Sequence, residues 1–328
     1  MSLKKGSSGL MVRAWTAVML TRFRSYALGV DGQPLRNDGY FGLDEEKVQK
    51  EYQIRTGQRP TGEVSDDDLW RLGLKPTLFS IHGTGQADPF GIGYPADIAR
   101  RVLDLYRWQP VGNYPATAVP MNHSVDAAVR EMERLLPLCP GPIAQVDYSQ
   151  GSIPAGRIRN RMRSGDLQHR YKDLIAGASF GNPMRPKGAY AGNVDPGGHG
   201  IDPTLETAAE PFIIHLAQKG DLYTTCPDGN VGEMERAIFN MVFSKFTGKD
   251  SILEQIWEII KNPFAEVPAA AKAILNGGMF IAQNPPTKPH VTYHLAECPG
   301  TGMTYYEYAI KHLRDTATAR LERIASST

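Results

Sequence analysis

Gln145-Val146-Asp147-Tyr148-Ser149-Gln150-Gly151 is the stretch whose reading decides the fold. An apolar run, Pro142 to Val146, leads into it, and small, turn-prone residues carry it into an expected helix from Gly151 to Met162. A serine on a sharp strand-to-helix turn has its hydroxyl pushed out of the sheet, and the next residue's backbone N–H is aimed at an oxyanion. The segment reads as such a nucleophile elbow, which predicts acyl transfer through a covalent serine ester. The usual pattern is Gly-x-Ser-x-Gly. Here Asp147 stands at the first glycine position, which the turn crowds.

Outward from the elbow, strands and helices alternate. Thr77-Leu78-Phe79-Ser80-Ile81 reads as a short apolar strand, and Leu174 to Phe180 and Phe212 to Leu216 as further buried strands. Helices are expected over Pro95 to Trp108, Ser124 to Leu136 and Tyr305 to Ile324, each with apolar residues at helical spacing. This alternation predicts an α/β fold, a mostly parallel sheet covered on both faces. Residues 185 to 205 are rich in Gly, Pro and Asp and read as a long loop. Residues 231 to about 276 read as two or three helices with no strand between them.

A serine nucleophile needs a base to take its proton and an acid to orient that base. In this fold class they follow in the order Ser, Asp or Glu, His. Asp221 fits the acid, because it follows the strand ending at Leu216; Asp195, Asp202 and Asp228 compete from loops. His290 and His294 both precede the closing helix, and His312 falls inside it. The glycine-rich loop His82-Gly83-Thr84-Gly85 lets backbone N–H groups turn inward, so Thr84 is the expected oxyanion donor beside Gln150. His82 reads as a packing residue. The loop matches neither a Walker A nor a dinucleotide-binding pattern. Zinc ligation by His290 and His294 at i and i+4 would need a helix with a glutamate between them. Here prolines precede the pair, and Val291-Thr292-Tyr293 favour extended structure, so no metal or other cofactor is expected.

The 328 residues are 41% hydrophobic and 22% charged, with a net charge of +1, which fits a globular chain and points to no nucleic-acid partner. Cys139, Cys226 and Cys298 are odd in number and far apart, without a CxxC pair, so neither a disulfide framework nor a cysteine metal site is expected. Met1 to Arg24 lacks the apolar region and cleavage site of a signal peptide, and no stretch is long and apolar enough to span a bilayer. Residues 1 to 74 read as a separate helical module. Its expected helices run from Leu10 to Tyr26, from Leu43 to Tyr52, and from Asp66 onward with Ser65 as the cap.

Two resemblances sharpen this reading. Asp38-Gly39-Tyr40-Phe41-Gly42, Val48, Tyr52-Gln53, Thr61-Gly62-Glu63-Val64 and Leu69-Trp70 resemble the three-helix peptidoglycan-binding domain of cell-wall hydrolases, with Tyr52 where a phenylalanine is usual. That implies a peptidoglycan contact through residues 1–74. Phe79 to Gln86, Asp104 to Tyr114, Tyr148 to Gly151, Gly181 to Arg185, Gly220 to Tyr223, Gly248 to Ser251 and Pro289-His290 resemble the lysin B esterases of mycobacteriophages, relatives of cutinase. The likeness implies an α/β-hydrolase (cutinase-like) domain over residues 75–328, a helical insertion at about 231–285, and a small three-helix domain ahead of it. It also implies hydrolysis of the ester joining mycolic acids to arabinogalactan during phage lysis, with mycolylarabinogalactan as the substrate. The protein would be made in the host cytoplasm without a signal peptide and act at the cell envelope. Carried over by motif, Ser149 is the nucleophile, Asp221 the acid and His290 the base. Trp257, Ile260, Phe264, Met279 and Phe280 of the insertion would line an apolar trough. Asp147 departs from the family's glycine, and a carboxylate there would favour the charged form of a nearby base. Three other readings stand beside this one: a general lipase or cutinase-like esterase, a wall-binding protein whose hydrolase fold has decayed, and a metal-dependent peptidoglycan amidase.

Overall fold

A computed structural model describes residues 2–117, 121–229 and 288–327, together with Gly232, Glu233, Arg236 and Phe239. The expected insertion, including Trp257, Ile260, Phe264, Met279 and Phe280, lies almost wholly outside the described residues.

The chain divides into two units. The first comprises Met1–Thr77, Val102–Arg107 and Arg314–Thr328. Its helices are α1 (Leu10–Arg22), α2 (Leu43–Arg55) and α3 (Asp66–Arg71). Val12, Trp15, Phe41, Val48, Tyr52 and Leu69 are buried together in its core, and Leu321 belongs to the same cluster. Three acids, Asp44, Glu45 and Glu46, occupy the first turn of α2, where they offset the positive end of the helix dipole. Ser65 caps α3: its Oγ accepts the Asp68 N–H at 3.0 Å, and Asp68 Oδ2 accepts the Ser65 N–H at 2.9 Å. Such a reciprocal cap satisfies two backbone donors that a short helix would otherwise leave open.

The second unit comprises Leu78–Arg101 and Trp108–Leu313. Along the chain from the end of the first unit run β1 (Thr77–Ile81), α4 (Tyr94–Arg101), β2 (Arg107–Pro110), α5 (Met121–Leu135), β3 (Ile143–Tyr148), α6 (Ser152–Ser164), β4 (Leu174–Phe180) and β5 (Ile213–Leu216). After the undescribed stretch come α7 (Lys288–Val291), β6 (Glu297–Cys298), β7 (Met303–Thr304) and α8 (Tyr305–Ala325). The main sheet has the strand order β2-β1-β3-β4-β5. β3 pairs in parallel with β4, and β4 with β5; β6 and β7 form a separate antiparallel pair. β1 is buried along its whole length, as a central strand covered on both faces should be.

Two local expectations give way. The helix expected over Pro95 to Trp108 stops at Arg101, because Arg107–Pro110 joins the sheet as its edge strand β2. The pairing runs from the Arg107 N–H on the Pro76 carbonyl, at 2.9 Å, to the Val111 N–H on the Ser80 carbonyl, at 3.0 Å, and an edge position tolerates Pro110, which has no N–H to give. The segment around His290 is not extended: Lys288–Val291 forms the single helical turn α7. Proline near the start of a helix gives up only an N–H that would have had no helical partner, so Pro289 is compatible with that turn.

Candidate active site

β3 delivers Ser149 to the turn, and the backbone there is bent as an elbow requires. Ser149 has φ = +54°, a left-handed conformation that costs free energy for a residue with a side chain. The strain is held by close packing from below. A β carbon on Gly151 would lie 2.4 Å from the carbonyl oxygens of both Ile81 and His82, so only glycine lets the turn rest on the end of β1. Gly83 approaches from the same side, where a β carbon would lie 3.1 Å from Ser149 Cβ.

The turn α7 brings His290 to the serine, and the segment after β5 brings Asp221 to His290. His290 Nε2 lies 2.8 Å from Ser149 Oγ, and His290 Nδ1 lies 2.8 Å from Asp221 Oδ2. This geometry fits a neutral imidazole that donates Nδ1–H to the carboxylate and accepts the serine proton at Nε2. Asp221 and His290 are both buried. Two rings lie against the imidazole: Tyr148 stacks on it at 5.2 Å between centroids, and Tyr223 sits tilted 4.6 Å away. The Tyr148 hydroxyl also donates to the His290 carbonyl at 3.0 Å. Burial pushes the Tyr223 phenol up to about 12, with the charge of Asp221 adding to the shift, so this ring stays neutral beside the imidazole.

The expected oxyanion donors adjoin the serine. Gly83 N–H donates to Gln86 Oε1 at 3.2 Å and Gly85 N–H to the Ala116 carbonyl at 2.8 Å, whereas the Thr84 N–H between them makes no hydrogen bond among the described residues. The Gln150 side chain ties the elbow to its surroundings. Its Oε1 accepts from Ser124 at 2.8 Å, and its Nε2 donates to the Thr117 carbonyl at 2.6 Å. Ser149, Thr84, Gln150 and His290 all line one cavity of about 590 Å³, together with apolar groups from Ile92, Tyr94, Met121, Pro183 and Phe239.

The remaining candidates sit elsewhere in this arrangement. His294 Nδ1 lies 2.9 Å from the Tyr94 hydroxyl, so it does not share a ligand position with His290. Asp195 Oδ1 accepts the Gly197 N–H, Asp202 Oδ1 accepts from Thr204, and Asp228 pairs with Lys187. His312 Nε2 reaches the Phe212 carbonyl. His82 is fully buried, and that burial lowers its pKa. Among the described residues no cluster of three or more His, Cys, Asp and Glu side chains is arranged to hold a metal ion.

Asp147 does not face the imidazole. It pairs with Arg159 at 2.9 Å, both side chains being fully buried. Arg159 of α6 is also held by both oxygens of Glu206, at 2.9 and 2.6 Å, by Gln145 Oε1 at 2.8 Å and by Ser179 Oγ at 3.1 Å. One guanidinium thus fixes β3, β4 and the loop at Glu206 by bonds to their side chains. Burial raises the Asp147 pKa against the pull of Arg159. Neither Arg159 nor Glu206 stood out in the sequence, where Asp147 was read only as a departure from the elbow's glycine and as a carboxylate near the base.

No family model matches the chain. Individual relatives do. It is 38% identical over 244 residues to Endolysin B of Mycobacterium phage L5, covering 66% of this chain and 94% of that protein. It is also 38% identical over 236 residues to Endolysin B of Mycobacterium phage D29, covering 64% and 91%. The crystal structure of lysin B from Mycobacteriophage D29 matches with a TM-score of 0.56 at 34% sequence identity, over 73% of this chain and 99% of that one.

The chain belongs to the mycobacteriophage endolysin B family. Its parallel sheet and helices are those of an α/β-hydrolase, as lysin B family membership leads one to expect. Among the described residues of this family member, no helix is long and apolar enough to cross a membrane.

Proposed function

We propose that this endolysin B homologue is a serine esterase with Ser149 as nucleophile, Asp221 as acid and His290 as base. The relay of two 2.8 Å contacts from Asp221 through His290 to Ser149 carries the reading. His290 Nε2 takes the proton from Ser149 Oγ as the oxygen attacks the ester carbonyl. Thr84 and Gln150 N–H groups hold the developing oxyanion. The same proton passes to the departing alkoxide, leaving an acyl-serine. Water, deprotonated in turn by His290, then releases the carboxylic acid and restores the hydroxyl.

The apolar lining of the cavity suits a lipid acyl chain. Together with membership in the endolysin B family, it favours the ester between mycolic acids and arabinogalactan at the host cell envelope over a soluble ester. Residues 1–74 would add a peptidoglycan contact.

The test is incubation of the protein with mycolyl-arabinogalactan wall material, with triglyceride in parallel, and mass spectrometry of the released acids. Free mycolic acids from wild type and none from Ser149→Ala are expected. Triglyceride cleavage without mycolate release would instead favour a general lipase.

A further inference from the structure

Asp221 is held by more donors than its role beside His290 requires. Its Oδ1 accepts the Tyr223 backbone N–H at 3.0 Å. Its Oδ2 accepts both His290 Nδ1–H at 2.8 Å and the Tyr293 hydroxyl at 2.6 Å. Tyr293 is fully buried and lies three residues after His290, so one short segment supplies both groups that grip the same oxygen. Its ring meets Phe180 edge-on at 5.6 Å and Tyr305 at 5.4 Å, and its hydroxyl oxygen accepts the Gln218 N–H at 3.3 Å.

Building on the Ser149–Asp221–His290 reading, we propose that Tyr293 is a positioning residue of this site, whose hydroxyl aims Oδ2 of Asp221 at His290 and tempers the carboxylate's hold on the imidazolium.

Two physical effects follow from one bond. A carboxylate anchored on both oxygens cannot rotate away from the imidazole, which keeps Nε2 turned toward the serine. A second donor on Oδ2 also withdraws charge, so the oxygen attracts a protonated His290 less strongly than an unshared carboxylate would. The phenol remains a donor across the working range, since burial, and after it the charge of Asp221, raise its pKa well above the usual value. Among the described residues, the other groups facing the pair are Ser149, the neutral rings of Tyr148 and Tyr223, and the buried Arg185 guanidinium, within electrostatic reach of Asp221. Arg185 gives its hydrogen bonds to the carbonyls of Thr224, Ala189, Gly197 and Gly198. Among the described residues, Tyr293 is therefore the side chain besides His290 whose removal changes the load on Oδ2.

Tyr293→Phe keeps the ring and removes the hydroxyl. The acidic limb of kcat/KM should move to higher pH by about half a unit to one unit, because Oδ2 then stabilises the imidazolium more strongly. kcat should fall about tenfold, the size of losing one hydrogen bond to a charged group, with KM little changed. A role in packing alone would lower the melting temperature and leave the limb in place; that result overturns the proposal. Should Tyr293→Phe fail to fold, 3-fluorotyrosine at position 293 keeps the bond and strengthens the donor. The limb must then move to lower pH, and an unmoved limb overturns the proposal. Proton NMR titration of His290 in the Ser149→Ala background reads the same shift without turnover. An inactive wild type would sink the esterase reading while leaving this titration interpretable.

Discussion

A β carbon on Gly181 would lie 2.7 Å from Cε1 of His290 and 3.0 Å from Oδ2 of Asp221. Gly181 also has φ = +52°. The residue that follows β4 thus forms the floor under the imidazole, and both the space and the backbone conformation demand glycine. Gly181→Ala should push His290 away from Ser149 and lower kcat/KM on p-nitrophenyl butyrate by about 10²-fold, the usual cost of displacing a catalytic group by about an ångström. Circular dichroism should show the fold retained. Wild-type turnover in this variant would mean that the imidazole does not work from this position.

Asp147 and Arg159 make a different prediction. Their ion pair is fully buried, so removing one charge leaves the other partly uncompensated. Asp147→Asn should lower stability by about 2–4 kcal/mol, at the low end for a broken buried pair because Glu206 still holds Arg159. The acidic limb of the pH–rate profile should stay in place, since Asp147 faces away from His290. Denaturant titration and a pH profile on the same sample separate the two effects. A shifted limb at unchanged stability would contradict this placement.

The legible parts of the sequence were those in which one residue type has one physical use. Leu174–Phe180 and Thr77–Ile81 are apolar runs of strand length, and both strands have those bounds. Ser65 before three acids marks a helix start, and it caps α3. Ser149, Asp221 and His290 stood out through order and motif, and their side chains meet. What stayed hidden depends on contacts between distant segments. β2 is four residues at a half-exposed edge, and its Arg-Trp-Gln-Pro composition carries no period-2 signal. The turn α7 was masked by β-branched neighbours, which favour strands on average but here end in a four-residue helix. Tyr293 looked like one more strand-favouring residue, and Arg159 like one of several arginines on an expected helix. Only the fold shows that each is buried against a carboxylate.

His215 and Glu206 set the expected response to acid. Burial lowers the His215 pKa to about 4, and Asn182 Nδ2 lies 3.4 Å from its Nδ1, a contact that suits the neutral ring. The unfolded chain takes up a proton near 6.5 and the folded one only near 4, so stability falls as pH drops through that window. Burial alone would raise the Glu206 pKa, but the charge and hydrogen bonds of Arg159 hold it down to about 2. Its contribution is complete above about 4.5 and is lost as pH falls toward 2. Each window is worth on the order of 3 kcal/mol. Urea denaturation across pH should show both slopes, and His215→Asn should flatten the upper one. An unchanged slope between 6.5 and 4 in that variant would remove His215 from the account.

The proposed esterase chemistry needs an activated hydroxyl at Ser149, and a fluorophosphonate probe reads that activation without any assumed substrate. Peptide mass spectrometry should find one adduct, on Ser149, in the wild-type protein. His290→Gln should label far more slowly, and Ser149→Ala not at all. An unlabelled wild type, or an adduct on another residue that persists in Ser149→Ala, would contradict Ser149 as the nucleophile.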